Sequence, residues 1–291
     1  MIQRLKATYG ISLQDQKVII LRKIATLQDA KRIIPKIYVS LHLYFLIMAL
    51  DNIIYGIRPV MEAMESGKTI DKVLLQKGLQ GELFKDLFYH VRQNKVPFQY
   101  VPAEKLNKFT RGNHQGVVAF MSAIEYQSIY DIVPSIYENG KVPFLLMLDK
   151  ITDVRNIGAI ARSAECAGVD AIILPLKGGA QLNEDAVKSS AGALHKIPIC
   201  RHSNLVEIIN FLKDSGIEVI AVTEKASHFH YQKDLTGPVC LIMGNEYEGI
   251  AWDYQRICDD AINIPMVGTV KSLNVSVATG IVLFETVKQR L

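Results

Sequence analysis

Phe144-Leu145-Leu146-Met147-Leu148, followed by Asp149-Lys150-Ile151-Thr152-Asp153-Val154-Arg155-Asn156-Ile157-Gly158-Ala159-Ile160-Ala161-Arg162, reads as an uninterrupted apolar strand, a polar loop and a helix opening near Asn156. A strand without polar alternation is buried on both faces, the mark of a parallel sheet covered by helices. The pattern continues downstream. Helix is expected from about Asn156 to Ala167, strand from Ala171 to Leu174, helix near Glu184 to Ala191, strand from Ile197 to Cys200 and helix from Leu205 to Lys213. Strands follow at Glu218 to Val222, Val239 to Met243 and Ala261 to Ile264, and Val275 to Gln289 closes the chain as a helix. This alternation specifies an α/β fold with a parallel sheet over residues 143–291.

Working back from Phe144, residues 122–142 are more polar and end at Pro143, so they read as a linker. Residues 52–121 form a smaller α/β unit. A helix starts around Val60 to Met64 after Pro59, Lys72 to Leu75 is a short strand, and Glu82 to Gln93 places Leu83, Phe84, Leu87, Phe88 and Val91 at helical spacing. Phe98 to Val101 and Gly116 to Met121 are strands. Two domains agree with 291 residues, and a composition of 49% hydrophobic and 21% charged residues supplies cores for both and excludes disorder.

The longest apolar run, Ile37 to Leu50, is too short for the ~20 residues a bilayer span needs and lies too far into the chain for a secretory signal. No membrane association is expected. The run suits a buried element. Alternatively Met48 opens the domain proper and residues 1–47 are an N-terminal extension. Cys166, Cys200, Cys240 and Cys258 form no C-x-x-C pair and read as reduced, buried and inert, which suits the cytoplasm. His228-Phe229-His230 has no Cys or carboxylate cluster at metal spacing around it, so it reads as a loop or surface feature and no metal is expected. The net charge of +4 permits a nucleic-acid partner without requiring one.

The usual nucleotide loops are missing. No G-x-G-x-x-G follows the first strand, which argues against a dinucleotide enzyme. Gly67-Lys68-Thr69 imitates the end of a phosphate loop, but Glu62 occupies the position of its first glycine. Three other segments stand at carboxyl ends of strands, where α/β sheets bind ligands. One is the Asp149 to Arg162 phrase. The second is Met243-Gly244-Asn245-Glu246-Tyr247-Glu248-Gly249, in which Gly244 permits close approach to a ligand. The third is Ile264-Pro265-Met266-Val267-Gly268-Thr269-Val270-Lys271-Ser272-Leu273-Asn274-Val275-Ser276. Singly, each residue has a plain alternative: Asn156, Asn274 or Ser276 as helix caps, Arg162 as a solvated helix position.

Together, N-x-G-x-x-x-R, M-G-N-E-x-x-G and I-P-M-x-G-x-x-x-S-L-N-V-S, in this order, resemble the SpoU or TrmH-like family of RNA ribose methyltransferases in the SPOUT class. Ile54-Tyr55-Gly56-Ile57-Arg58-Pro59-Val60 and His114-Gln115-Gly116-Val117-Val118-Ala119 resemble the N-terminal RNA-binding domain of the family's large-subunit rRNA guanosine-2′-O-methyltransferases. The likeness covers about residues 52–291. It implies a C-terminal domain with a deep trefoil knot, although chains rarely knot, and a small N-terminal α/β domain that grips structured RNA, rRNA before tRNA. It implies a homodimer with its active site near the subunit interface. It implies S-adenosylmethionine held around Gly244, Asn245, Ile264, Met266 and Leu273.

The same resemblance gives Arg162 the central catalytic role. A guanidinium does not ordinarily lose its proton. Arg162 is therefore expected to bind the phosphate beside the target ribose and lower the pKa of the hydroxyl, with Asn156, Glu246, Ser272 and Asn274 orienting it and the ribose. Arg58, Lys108, Arg111 and His114 are the candidates for RNA contact, each equally readable as a solvated charge. The expected activity is methyl transfer to a ribose 2′-hydroxyl, of a guanosine in large-subunit rRNA. A tRNA methyltransferase and a non-catalytic RNA-binding protein of this fold are the alternatives. A small-molecule α/β enzyme is disfavoured by the separate N-terminal module.

Overall fold

A computed structural model describes residues 53–180, 182–270 and 272–291; residues 1–47, read above as an extension, lie outside them. The first sheet has strand order β1 (Ile53–Tyr55), β4 (Val117–Met121), β2 (Ile70–Gln76), β3 (Phe98–Val101). β4 is antiparallel to both neighbours, and β2 and β3 run parallel. Strand periodicity divides β2 between two cores. Val73 and Leu75 pack with Val60 of α1 (Ile57–Glu65) and with Leu87 and Val91 of α2 (Glu82–Gln93). Leu74 packs on the other face with Val101, Val118 and Leu106, the last residue of α3 (Ala103–Leu106).

The second sheet is parallel throughout, in the order β7 (Ile199–His202), β6 (Ala171–Pro175), β5 (Phe144–Leu148), β10 (Val239–Met243), β8 (Glu218–Val222), β11 (Asp260–Asn263), β9 (His228–Phe229). The central strands β5 and β10 are buried at every position, as their all-apolar sequences require. One face is covered by α5 (Val154–Cys166), α6 (Glu184–Ser189) and α9 (Val275–Arg290). The other is covered by α4 (Ile129–Glu138), α7 (Leu205–Asp214) and α8 (Trp252–Ile257). β5 and β10 are neighbours in space but distant in sequence, which brings the Asp149 and Gly244 phrases together.

Five readings change. The 122–142 segment is not a plain linker: it contains α4, whose Ile129, Val133 and Ile136 are buried against the second sheet. Pro134 inside this helix hid it, because proline removes one main-chain hydrogen bond and argues against helix. Helix α5 is capped not by Asn156 but by Asp153, whose Oδ1 accepts from the Arg155 amide at 2.7 Å. His228 and Phe229 form the edge strand β9, and His230 is buried with Nδ1 3.3 Å from the Asn263 carbonyl. α8 is a six-residue helix with no fully buried side chain, too short for helical periodicity to mark it in the sequence. Cys166 is exposed at the end of α5, whereas burial pushes the thiols of Cys200 and Cys258 up to about 12.

Candidate active site

The site begins at a carboxylate. Asp149 follows the last residue of β5, is 1% exposed, and donates its main-chain amide to the Met243 carbonyl at 2.8 Å. Its Oδ2 accepts from the Ala251 amide at 2.8 Å. These two bonds clamp both ends of the 244–250 turn to β5. Burial raises the Asp149 carboxyl above its ordinary value, opposed by the Ala251 amide and Lys150.

Within the turn, Asn245 Oδ1 accepts from the amides of Tyr247 at 2.9 Å and Glu248 at 2.7 Å. The Gly249 amide donates to the Asn245 carbonyl at 3.0 Å, with Gly249 at φ +69°. A side chain at Gly244 would meet the Gly249 carbonyl carbon at 2.1 Å and the Ile250 nitrogen at 2.2 Å. Glycine is therefore required there by backbone crossing backbone. The closed turn turns Glu246 and Tyr247 outward, and Tyr247 is 96% exposed.

A polar relay joins the three phrases. Asn156 Nδ2 in the first turn of α5 donates to Glu246 Oε1. Asn156 Oδ1 accepts from Asn274 Nδ2 at 3.1 Å. Asn274 in turn caps α9, its Oδ1 accepting from the Ser276 amide at 2.9 Å. The side-chain amide of Asn156 thus donates to one segment and accepts from another, two segments that the sequence separates widely.

Beside the relay lies a cavity of about 390 Å³. Gly244, Asn245, Ile264, Met266 and Leu273 all line it, as do Glu246 and Ser272. Its apolar walls suit an adenine ring. Its three carboxylates, Glu224, Glu246 and Glu248, outnumber the lining cation Lys225, although Glu248 is shared with Lys150 at 3.6 Å. That donor set fits a sulfonium compound better than an anionic cofactor.

Arg162 stands apart from this cavity. It is exposed on α5 and makes no hydrogen bond or ion pair among the described residues. Six residues at about 100° each turn it roughly 120° around the helix from Asn156. One copy of the chain thus brings Glu246 and Ser272 to the cavity, links Asn156 and Asn274 to it through Glu246, and leaves Arg162 outside its lining.

In the first domain the β1–β4 pairing, Tyr55 opposite Val118, unites the two N-terminal phrases. Gln115 Oε1 accepts from the Ile57 amide at 3.2 Å beside Arg58, and the Tyr55 ring fills the space above Gly112 beside Arg111. His114 Nδ1 accepts from the Gly116 amide at 3.0 Å, which leaves Nε2 to donate to Asn107 Oδ1 at 2.9 Å beside Lys108. Arg58, Lys108 and Arg111 are exposed at this one end of the sheet. His114, with both ring nitrogens engaged, holds the loop that presents them.

The SpoU rRNA methylase family is matched over residues 143–284, and the RNA 2′-O ribose methyltransferase substrate-binding family over residues 53–127. The chain is 39% identical over 244 residues to the 23S rRNA (guanosine-2′-O-)-methyltransferase RlmB of Photorhabdus laumondii, covering 83% of this chain and 99% of that one. It is 37% identical to RlmB of Escherichia coli, covering 83% and 100%. The chain belongs to the SpoU rRNA methylase family. The AdoMet-bound rRNA methyltransferase of Sinorhizobium meliloti superposes with a TM-score of 0.53 at 27% identity, over 82% of this chain and 87% of that one.

SpoU membership places the three phrases in a methyltransferase domain, as the resemblance implied. Two features of this SpoU chain escaped the sequence reading. Asp149 was read only as the start of a polar loop, although a carboxylate directly after a buried strand signals a main-chain clamp. The other is the junction of the domains. Arg201 pairs with Asp71 at 2.9 Å, their side chains 9% and 3% exposed. The Tyr126 hydroxyl also donates to Asp71 at 2.6 Å, and the Arg201 guanidinium lies 4.4 Å from the Tyr126 ring centroid. Burial, with Asp71 against the hydroxyl, raises the Tyr126 phenol above its ordinary value. No pattern within one domain signals a pair that spans two.

Proposed function

We propose that this chain methylates the ribose 2′-hydroxyl of a guanosine in large-subunit rRNA, using S-adenosylmethionine. The observation that carries this reading is the relay from Glu246 through Asn156 to Asn274 along the rim of a cavity lined by Gly244, Ile264 and Leu273. The RlmB relatives, matched over nearly their full length, favour guanosine in 23S rRNA over a tRNA target.

S-adenosylmethionine, when bound, supplies an electrophilic methyl group. The chain's residues supply position and charge. Gly244, Asn245, Ile264, Met266 and Leu273 form the cradle. Asn156, Glu246, Ser272 and Asn274 orient the ribose and its neighbouring groups. A ribose hydroxyl is a weak acid, so the remaining need is stabilisation of developing negative charge. Arg162 meets it by binding the adjacent phosphate.

Arg162 is exposed and does not line its own chain's cavity, and this supports a homodimer in which it serves the partner's site. A second feature supports the same assembly. Val277 and Phe284, seven residues apart on one face of α9, are 52% and 49% exposed, the apolar stripe that a second copy would cover. Ser272 and Leu273 line the same cavity as the 244–250 turn, a proximity that supports the family's trefoil knot. A cytoplasmic location follows from an rRNA target, and no described helix is long and apolar enough to cross a membrane. Arg58, Lys108 and Arg111 grip the RNA from the tip of the first domain.

The test is incubation with tritiated S-adenosylmethionine and either 23S rRNA or tRNA, followed by digestion to nucleosides. Label in 2′-O-methylguanosine from 23S rRNA is expected. Label confined to tRNA supports the tRNA alternative, and cofactor binding without transfer supports the non-catalytic one.

A further inference from the structure

Between the two domains lies a second cleft, of about 500 Å³, far from the cofactor cavity in sequence and lined by none of its residues. Lys68 and Lys95 of the first domain form one wall. Tyr126, Tyr130, Arg201 and His202 form the other. Lys68 and Lys95 are exposed and appear in no ion pair among the described residues. Arg201 is buried, and although Asp71 and the Ala180 carbonyl engage its terminal nitrogens, its Nε–H has no hydrogen-bond partner among the described residues. Tyr130 is 37% exposed and meets His202 edge-on at 5.9 Å. Cationic groups interleaved with aromatic rings are the chemistry of a single-stranded nucleic-acid track.

The position of the cleft is informative. Lys68 precedes β2, and the Ser122 amide bonds the Thr69 carbonyl at 2.9 Å at that end. At the other end of β2, the Gln76 amide bonds the Gly116 carbonyl at 2.8 Å, next to the loop carrying Arg111 and His114. The two basic sites therefore bracket the strand. His202 ends β7 and Leu176 follows β6, so the cleft opens at the carboxyl ends of the second sheet, the same edge as the cofactor cavity.

We propose that this cleft binds the sugar–phosphate backbone of the RNA substrate between the tip of the first domain and the active site. The proposal rests on the RNA-methylation reading above. The Lys68 of the Gly67-Lys68-Thr69 phrase thereby contacts phosphate, though in an RNA backbone and without a phosphate loop. Seven residues of β2 span about 23 Å, the length of about seven stacked nucleotides.

The experiment compares the wild-type chain with K68A/K95A and, separately, R58A/R111A, binding a 23S rRNA transcript across a salt series. Each phosphate contact contributes about 0.7–0.9 to the log–log salt slope. The K68A/K95A slope is expected to be shallower by about 1.5, with the KM for RNA raised and cofactor affinity and melting temperature unchanged. An unchanged slope and affinity in K68A/K95A, while R58A/R111A weakens binding, overturns the cleft assignment and leaves RNA methylation standing. A wild-type chain that neither binds nor methylates RNA overturns both.

Discussion

Asn274 Nδ2 donates to Asn156 Oδ1 across 3.1 Å, joining the start of the last helix to the first turn of a helix 118 positions earlier. The Asn156 amide nitrogen is given to Glu246, so its orientation is fixed: the oxygen faces Asn274 and the nitrogen the carboxylate. This bridge adds a side-chain link from the last helix to two segments that Lys150–Glu248 and Asp149–Ala251 already hold together.

Asn156→Asp keeps the acceptor for Asn274 but sets a carboxylate against Glu246. The expected result is a fall in kcat of about 10–10², equivalent to about 1–3 kcal/mol of lost positioning. The melting temperature should barely move, because the relay is partly solvent-exposed. Parallel turnover and calorimetry check both parts, and unchanged turnover excludes the relay from the reaction.

Gly244→Ala forces a methyl group into the main chain of Gly249 and Ile250, which cannot yield as a side-chain tip can. About 1–3 kcal/mol of stability should be lost through overpacking. Cofactor affinity should fall at least in proportion, read by titration calorimetry.

For Arg162→Ala the rate should drop by about 10²–10⁴, the range for a positioned group acting on a proton transfer. Cofactor binding should survive, since Arg162 does not line the cavity. Mixing this variant with a chain disabled at Asn156 should restore part of the activity if one protomer's Arg162 serves its partner's cavity. No recovery in verified mixed dimers would confine each site to one chain.

Removing one half of the Asp71–Arg201 pair leaves the other charge buried at the domain junction. Asp71→Ala should cost about 3–5 kcal/mol, measured by chemical denaturation, and should loosen the first domain from the second. A loss below 1 kcal/mol would mean that water reaches Arg201.

The pH dependence of Asp149 has a definite sign. Its folded value lies above the ordinary 3.8, so the native state holds the proton more tightly than the unfolded chain. Stability from this group is therefore greatest in acid and declines as pH rises through the window above 3.8. Asp149→Asn, whose oxygen can still accept from Ala251, should flatten that decline and stabilise the protein at neutral pH. Thermal melts across the acid-to-neutral range check the sign, and a variant less stable at neutral pH contradicts it.

The sequence was most legible where one periodicity dominates. The buried strands Glu218 to Val222 and Val239 to Met243 end where their hydrophobic runs end. Helix α4 was not, because Pro134 contradicts the burial of Ile129, Val133 and Ile136, and packing outweighs local preference. The edge strand at His228 is too short for alternation to register. Among site residues, the five that the family resemblance implied around the cofactor line one cavity, where the second and third phrases meet at the carboxyl ends of their strands. Long-range partners such as Asp149 with Ala251 and Asp71 with Arg201 depend on strand order, which no local pattern encodes.

The most direct test of the account is a crystal structure of the assembled protein with S-adenosylmethionine bound. The donor is expected in the cavity lined by Gly244, Ile264 and Leu273, its methyl turned toward the rim formed by Asn156, Glu246 and Asn274, with an Arg162 within reach of the methyl. A donor bound elsewhere, or an assembly that leaves every Arg162 remote from it, contradicts the account.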